Sequence, residues 1–170
     1  MKMLYTKEMQ AIRKVMPSDA GEIAAIYNKY VTDTTITFEV DTLTDDEMRN
    51  RIEDISAKYP YYVYEQDGHV AGFCYAHLWK DRAAYCKTLE TTIYLSPQCL
   101  HRGIGTRLMH RLISDCRDMG FSALIACITG GNEASIQMHR SLGFEQVSHF
   151  KWVGMKFGRV LDVVDYELVL

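Results

Sequence analysis

From Glu90 to Met119 the chain reads ETTIYLSPQCLHRGIGTRLMHRLISDCRDM, and no other stretch constrains the fold as tightly. Glu90 to Leu95 mixes β-branched, aromatic and apolar residues, the composition of a buried strand, and Ser96-Pro97 ends it because proline cannot continue a hydrogen-bonded ladder. Further on, Leu108, Met109, Leu112, Ile113 and Cys116 recur at the three- and four-residue spacing of an amphipathic helix. Between strand and helix lies Arg102-Gly103-Ile104-Gly105-Thr106. Strand, glycine turn and helix N-terminus together make an anion site. Glycines admit close backbone approach, and the N–H groups of the first helical turn point at the ligand with the helix dipole behind them.

Which anion is a matter of the flanking residues. A phosphate-binding P-loop needs Gly-Lys-Ser/Thr, and here Gly105 is followed by Thr106 and Arg107. A dinucleotide fingerprint wants a third small residue where Leu108 stands, and it usually follows the first strand of a domain. Neither fits. Taken alone, two glycines in a strand-to-helix connection are equally well explained by tight turning.

Composition narrows the class. A chain of 170 residues is expected to form one domain with a full core, and 48% hydrophobic with 24% charged residues is the balance of a globular protein. The formal charge of -3 argues against a nucleic-acid partner. No apolar run reaches membrane-spanning length, and Met1 to Gln10 lacks the apolar core of a signal peptide, so the expectation is a cytoplasmic protein without a membrane partner. Cys74, Cys86, Cys99, Cys116 and Cys127 are odd in number and include no Cys-x-x-Cys pair. Neither a disulfide framework nor a metal site is indicated, and reduced, mostly buried thiols are expected.

Along the chain, Gln10 to Val15 reads as a first strand. Asp19 with Glu22 suggests an N-cap for a helix whose apolar face is Ile23, Ile26, Tyr27 and Tyr30, and Thr44 with Glu47 is a capping box for a second carrying Met48, Ile52 and Ile55. Thr35 to Val40 is a loop or short strand. Pro60 closes the second helix. Tyr61 to Glu65 and Val70 to Leu78 form a hairpin about Asp67-Gly68, and Trp79 to Lys87 is a polar interruption. Gly120 caps the central helix. Ser122 to Thr129 is a continuous apolar strand, Gly130-Gly131-Asn132 opens a helix over Glu133 to Ser141 stopped by Gly143, and Phe144 to Val153 and Val163 to Leu170 complete the β pattern. Strands alternating with helices about a central hairpin predict an α/β fold, a mixed sheet with helices on both faces.

The Arg102-Gly-Ile-Gly loop, with Asn132 and the later Gly143-Phe144, resembles the GNAT superfamily of acetyl-CoA-dependent N-acetyltransferases. Ile26-Tyr27-Asn28, Phe38, Tyr59-Pro60, Gly72, Trp79-Lys80, Arg82, Ala84-Tyr85, Glu90, Tyr94, Ser135, His139 and Gly154-x-Lys156-x-Gly158 are similar to its phosphinothricin acetyltransferase branch, over roughly Ile12 to Leu168. Two positions depart. Leu100 stands where the family's Gln or Arg opens the loop, and Val160 where an aromatic residue is common.

The resemblance implies a GNAT fold in which two parallel strands, here Thr88 to Leu95 and Ser122 to Thr129, splay to admit the thioester. It implies acetyl-CoA as cosubstrate, contacted by Ile93, Tyr94, Leu95, His101, Arg102, Gly103, Ile104, Gly105, Thr106 and Asn132. Acetylation needs a free amine lone pair, so a base must take a proton. Glu90 matches the family's general base, and strand alternation puts it on one face with Thr92 and Tyr94, while Leu89, Thr91, Ile93 and Leu95 take the other. A backbone N–H at Tyr94 or Leu95 is expected to bind the oxyanion. His139 matches the residue that serves departing CoA, and imidazole can act as acid or base. Phe38, Lys80, Arg82 and Tyr85 are implied to line the acceptor pocket, the two cations holding an acid group of a small amino-acid analogue. Lys156 and Phe157 are expected to support that pocket or a dimer contact, and the resemblance implies a homodimer. A non-catalytic acyl-CoA-binding module, or an enzyme acting on a protein N-terminus or polyamine, are the alternatives.

Overall fold

Asp67 and Gly68 have φ of 53° and 80°, the two left-handed positions of a tight hairpin turn, and they fold β2 (Tyr61–Gln66) back on β3 (His69–Leu78). From this hairpin the computed structural model, which describes residues 12–170, extends a seven-stranded sheet. β1 (Ile12–Lys14) borders β2, and on the other side follow β4 (Thr88–Leu95), β5 (Ala123–Thr129), β7 (Arg159–Val169) and β6 (Glu145–Lys156) at the edge. Every neighbouring pair is antiparallel except β4 and β5. Met1 to Gln10, and the start of the expected first strand at Gln10 and Ala11, lie outside the described residues.

Helices cover both faces, as the sequence predicts. On one, α1 (Ala20–Asp33) and α2 (Asp45–Ser56) bury Ile23, Tyr27, Met48 and Ile52 against Val63 and Phe73. On the other, α3 (Ile104–Asp118) buries Leu108, Met109, Leu112 and Cys116 against Cys74, Leu89 and Leu124, with α4 (Glu133–Ser141) adding Ile136. The two cores share no side chain because strand residues alternate between faces. Leu89 belongs to the α3 side, and Tyr94 packs on the α1 side.

Local signals succeeded where the partner is near in sequence. The Thr44–Glu47 capping box forms, with Glu47 N–H donating to Thr44 Oγ1 and Thr44 N–H donating to Glu47 Oε2. The Asp19 cap does not. Its carboxylate accepts from Met16 N–H and from Arg13, and Glu22 reaches across to accept from Val70 N–H. Arg13 also binds Glu65, so a charged partner in the first strand outcompetes the cap. Thr35 to Val40 is a loop. β6 and β7 are longer than expected, joined by a tight turn with Phe157 and Gly158 at φ 51° and 68°. Of the five cysteines only Cys74 and Cys116 are buried, which corrects the expectation of mostly buried thiols.

Leu108 is fully buried beneath the central strands. Leu108→Ala should lower unfolding free energy by about 2–5 kcal/mol, read as a reduced urea midpoint at unchanged slope.

Candidate active site

β4 and β5 pair only at Thr88–Ala123, Leu89–Leu124 and Glu90–Ile125; past Glu90 they part. Diverging strands strand their own polar groups, and side-chain hydroxyls take them over. Thr91 Oγ1 donates to the Ile125 carbonyl at 3.4 Å, and Tyr30 OH donates to the Leu95 carbonyl at 2.6 Å. Thr129 Oγ1 lies 3.0 Å from the carbonyls of both Thr35 and Ile36, tying the loop after α1 to the end of β5. The result is a cavity of about 610 Å³.

One wall is the rim of α3. Its first intrahelical bond runs from Arg107 N–H to the Gly103 carbonyl, which leaves the N–H groups of Ile104, Gly105 and Thr106 for a ligand. Gly103 precedes them at φ 72°, a left-handed position where a Cβ would meet nothing within 4 Å, so the loop presents open backbone. Gly105 has another duty. A Cβ there would come within 3.0 Å of Met138 Sδ, so its absence lets α3 pack against α4. Leu100 and His101 also line the cavity, whereas the Arg102 side chain does not. These features fit a pyrophosphate at the α3 N-terminus and an extended carrier arm between the strands.

The other wall carries the titratable groups. Glu90 lines the cavity, and burial raises its carboxyl above the usual range, against the opposing pull of His77 and of the Cys127 thiol. Sequence reasoning missed both neighbours. His77 is cross-strand from Glu90, and Cys127 lies on β5, positions that only the sheet register brings together. His139 is 3% exposed, its Nδ1 2.8 Å from the Ser135 carbonyl and its ring edge-on to Phe144. A carbonyl only accepts, so Nδ1 bears the proton and Nε2 the lone pair; burial lowers the pKa and keeps the ring neutral. Asn132 caps α4, its side chain accepting from Ser135 N–H.

Backbone direction refines the oxyanion expectation. Ser96 N–H bonds the Ala71 carbonyl and Thr88 O accepts from Trp79, so even-numbered residues of β4 turn their peptide groups toward β3. Tyr94 N–H is therefore committed to the sheet. Ile93 and Leu95 face the splay, consistent with the Leu95 carbonyl being taken by Tyr30.

The acceptor residues divide. Phe38 lines the cavity, over Gly154, and buried Lys156 donates from Nζ to the Thr37 carbonyl at 2.8 Å. Lys80, Arg82 and Tyr85 are not on the cavity wall. They occupy the connection from β3 to β4, where the Lys80 ammonium sits 3.9 Å from the Trp79 ring centre and Trp79 stands edge-on to Tyr85. Among the described residues no cluster of His, Cys, Asp and Glu suits a metal ion, and no helix is long and apolar enough to cross a membrane.

A sheet opened by two diverging parallel strands, with a helix N-terminus at the rim of the opening, is the arrangement that the sequence resemblance implies. Residues 12–164 match the family described as acetyltransferase (GNAT) domain, and the chain belongs to this family of N-acetyltransferases. It is 39% identical to a phosphinothricin N-acetyltransferase of Alcaligenes faecalis, covering 90% of this chain and 79% of the relative. An L-methionine sulfoximine/L-methionine sulfone acetyltransferase of Salmonella typhimurium is 34% identical, covering 94% of each. The crystal structure of a phosphinothricin acetyltransferase from Sinorhizobium meliloti in complex with AcCoA superimposes with a TM-score of 0.91 at 36% identity, covering 94% of this chain and 87% of that one.

Gly154 tests the expectation that Phe38 lines the acceptor pocket. A Cβ there would lie 2.2 Å from Phe38 Cε2, so Gly154→Ala must displace the ring. The KM for the amine should rise about tenfold with no change in donor affinity by calorimetry.

Proposed function

We propose that the protein transfers an acetyl group from acetyl-CoA to the α-amine of a small amino acid or analogue of the phosphinothricin, methionine sulfoximine or methionine sulfone type. The observation that carries this reading is the splay itself, which sets Glu90 and the free N–H of Leu95 in one cavity with the N-terminus of α3. The relatives supply the acceptor class. Backbone N–H groups from Ile104 to Thr106 hold the pyrophosphate, so binding does not depend on a polar side chain at Leu100. The cosubstrate supplies the activated acyl carbon.

Glu90 is the base in this reading. A carboxyl raised by burial has a better match to an ammonium than an ordinary one. Leu95 N–H stabilises the oxyanion. His139, neutral with Nε2 unprotonated, takes a proton from solvent at Nε2 and gives it to the departing thiolate. Lys80 and Arg82 lie off the cavity wall, on the connection into β4, and hold the acid group of an acceptor that extends out of the cavity toward them. The second copy of a homodimer covers the edge strand β6 and the turn after it, where Trp152 is 80%, Met155 73% and Phe157 60% exposed. An apolar edge of this kind calls for a cover.

Glu90→Gln should keep acetyl-CoA affinity and lose turnover by roughly 10²–10⁴-fold, with the deficit shrinking at high pH as free amine accumulates. Wild-type kcat/KM should fall on the acid side at a pH above the ordinary carboxylate range, because the base is raised. Unaltered turnover at neutral pH would return Glu90 to a structural role. A thiol-release assay across amino-acid analogues, an amino-terminal peptide and spermidine decides the acceptor. Arg82→Ala should cost the analogues about 10–100-fold in kcat/KM, whereas a gain for spermidine alone would favour a polyamine enzyme. Sedimentation should give a dimer, and Trp152→Glu a monomer.

A further inference from the structure

His77 faces Glu90 across the β3–β4 pair, and the hydrogen bonding of its ring fixes what it can offer. Nδ1 lies 2.9 Å from the Leu78 carbonyl, which can only accept, so Nδ1 carries a proton. In the neutral ring Nε2 is then the lone-pair nitrogen, and it stands 4.0 Å from Glu90 Oε1, a gap that one water or a small side-chain rotation closes. A neutral His77 thus gives Glu90 an acceptor and no donor. An ionised carboxylate beside that lone pair is unfavourable, and a carboxyl or an imidazolium is favourable. A protonated Glu90 can therefore hand its proton to the Nε2 lone pair.

The surroundings sharpen this. Facing the pair are Tyr75 from β3, its ring 5.9 Å from that of His77, Cys127 from β5 and Asp165 from β7, the cross-strand partner of Cys127. Burial first, then the charges of Glu90 and Asp165, push the Cys127 thiol up, so it remains a weak donor and not a nucleophile. Burial and Asp165 both favour the neutral form of Glu90, and His77 is the largest influence in the other direction. The His77 side chain is 34% exposed. The Glu90 side chain is half-buried at 28%, so His77 is the more solvent-facing of the two.

We infer that His77 is the proton outlet of Glu90, a positioning residue that acts through the base and touches no substrate; this rests on the reading of Glu90 as base. The ammonium N–H bond breaks as an O–H bond forms on Glu90; that O–H breaks as Nε2–H forms on His77; the imidazolium then releases its proton to water. Glu90 returns to the carboxylate needed for the next acceptor. No co-reactant beyond solvent is required.

The experiment compares His77→Gln, His77→Ala and Glu90→Gln in the whole enzyme, reading kcat/KM against pH together with acetyl-CoA affinity. Loss of His77 removes the influence that holds Glu90 ionised, so the acid limb should move up by about one pH unit, roughly a tenfold loss on that limb, with acetyl-CoA affinity unchanged. Added imidazole should restore part of the rate of His77→Ala and none of that of Glu90→Gln. An inactive Glu90→Gln with a wild-type profile for His77→Gln overturns the outlet and spares the base; an active Glu90→Gln overturns the base itself. Should the His77 variants fail to fold, 15N-histidine spectra of the wild type at alkaline pH decide: the Nδ1–H tautomer is expected, and an Nε2–H tautomer overturns the inference.

Discussion

The ladder between β4 and β5 ends at Glu90 and Ile125, and everything the protein can do follows from how that ending is tolerated. Leaving a buried peptide group without a partner costs on the order of 1–3 kcal/mol, so a sheet does not open in its middle unless other donors and acceptors stand ready. Thr91, Tyr30 and Thr129 are those groups. Each contributes one hydroxyl, and each binds a carbonyl. Two carbonyls of the diverging strands, Ile125 and Leu95, are satisfied in this way, and Thr129 ties the end of β5 to the loop after α1.

The same strand serves two purposes because its period is two. Leu89, Ile93 and Leu95 contribute to the core beneath α3, while Glu90, Thr92 and Tyr94 look the other way. At the upper end Tyr94 is enclosed by Tyr27, Tyr30 and Phe73, with ring centroids 5.0, 5.0 and 5.7 Å away. These contacts hold β4 rigid where the pairing with β5 has gone. At the lower end no such aromatic shell forms around Glu90, and His77, Cys127 and Asp165 stand there instead. Rigid above and polar below, the strand keeps its backbone donors fixed and its carboxyl in contact with exchangeable protons.

How much of this was legible depended on the distance over which each signal acts. The glycine loop, the α3 stripe, the Thr44 box and the Asp67-Gly68 turn are local, and they formed where the residue pattern put them. The GNAT family assignment extended the reading to the splay. What the sequence hid are contacts between distant segments. Tyr30 to Leu95 spans 65 positions and Lys156 to Thr37 spans 119, and nothing in the neighbourhood of either residue announces its partner. The choice of Leu95 over Tyr94 as free donor is a matter of peptide direction, set by which residue of β4 first meets β3. Asp19 misled because capping and charge pairing draw on the same carboxylate, and Arg13 was the stronger partner.

The Phe38 wall of the cavity depends on a different set of contacts from the wall at the α3 N-terminus. The loop after α1 is held by Tyr27 OH against Thr37 Oγ1 at 2.8 Å, by Thr129, and by an ammonium, Lys156, whose hydrogen bond goes to a backbone carbonyl. Burial lowers the Lys156 pKa, so this tether has a smaller electrostatic component than an ion pair and acts chiefly as a directed hydrogen bond. Phe38 then fills the hollow that Gly154 leaves in β6. None of these groups belongs to α3 or α4, where a carrier nucleotide would sit. Substitutions along β6 and the loop can therefore reshape the Phe38 side of the cavity while the helix N-terminus and the Leu95 N–H stay in place. The two sides of the cavity are free to vary separately on one fold.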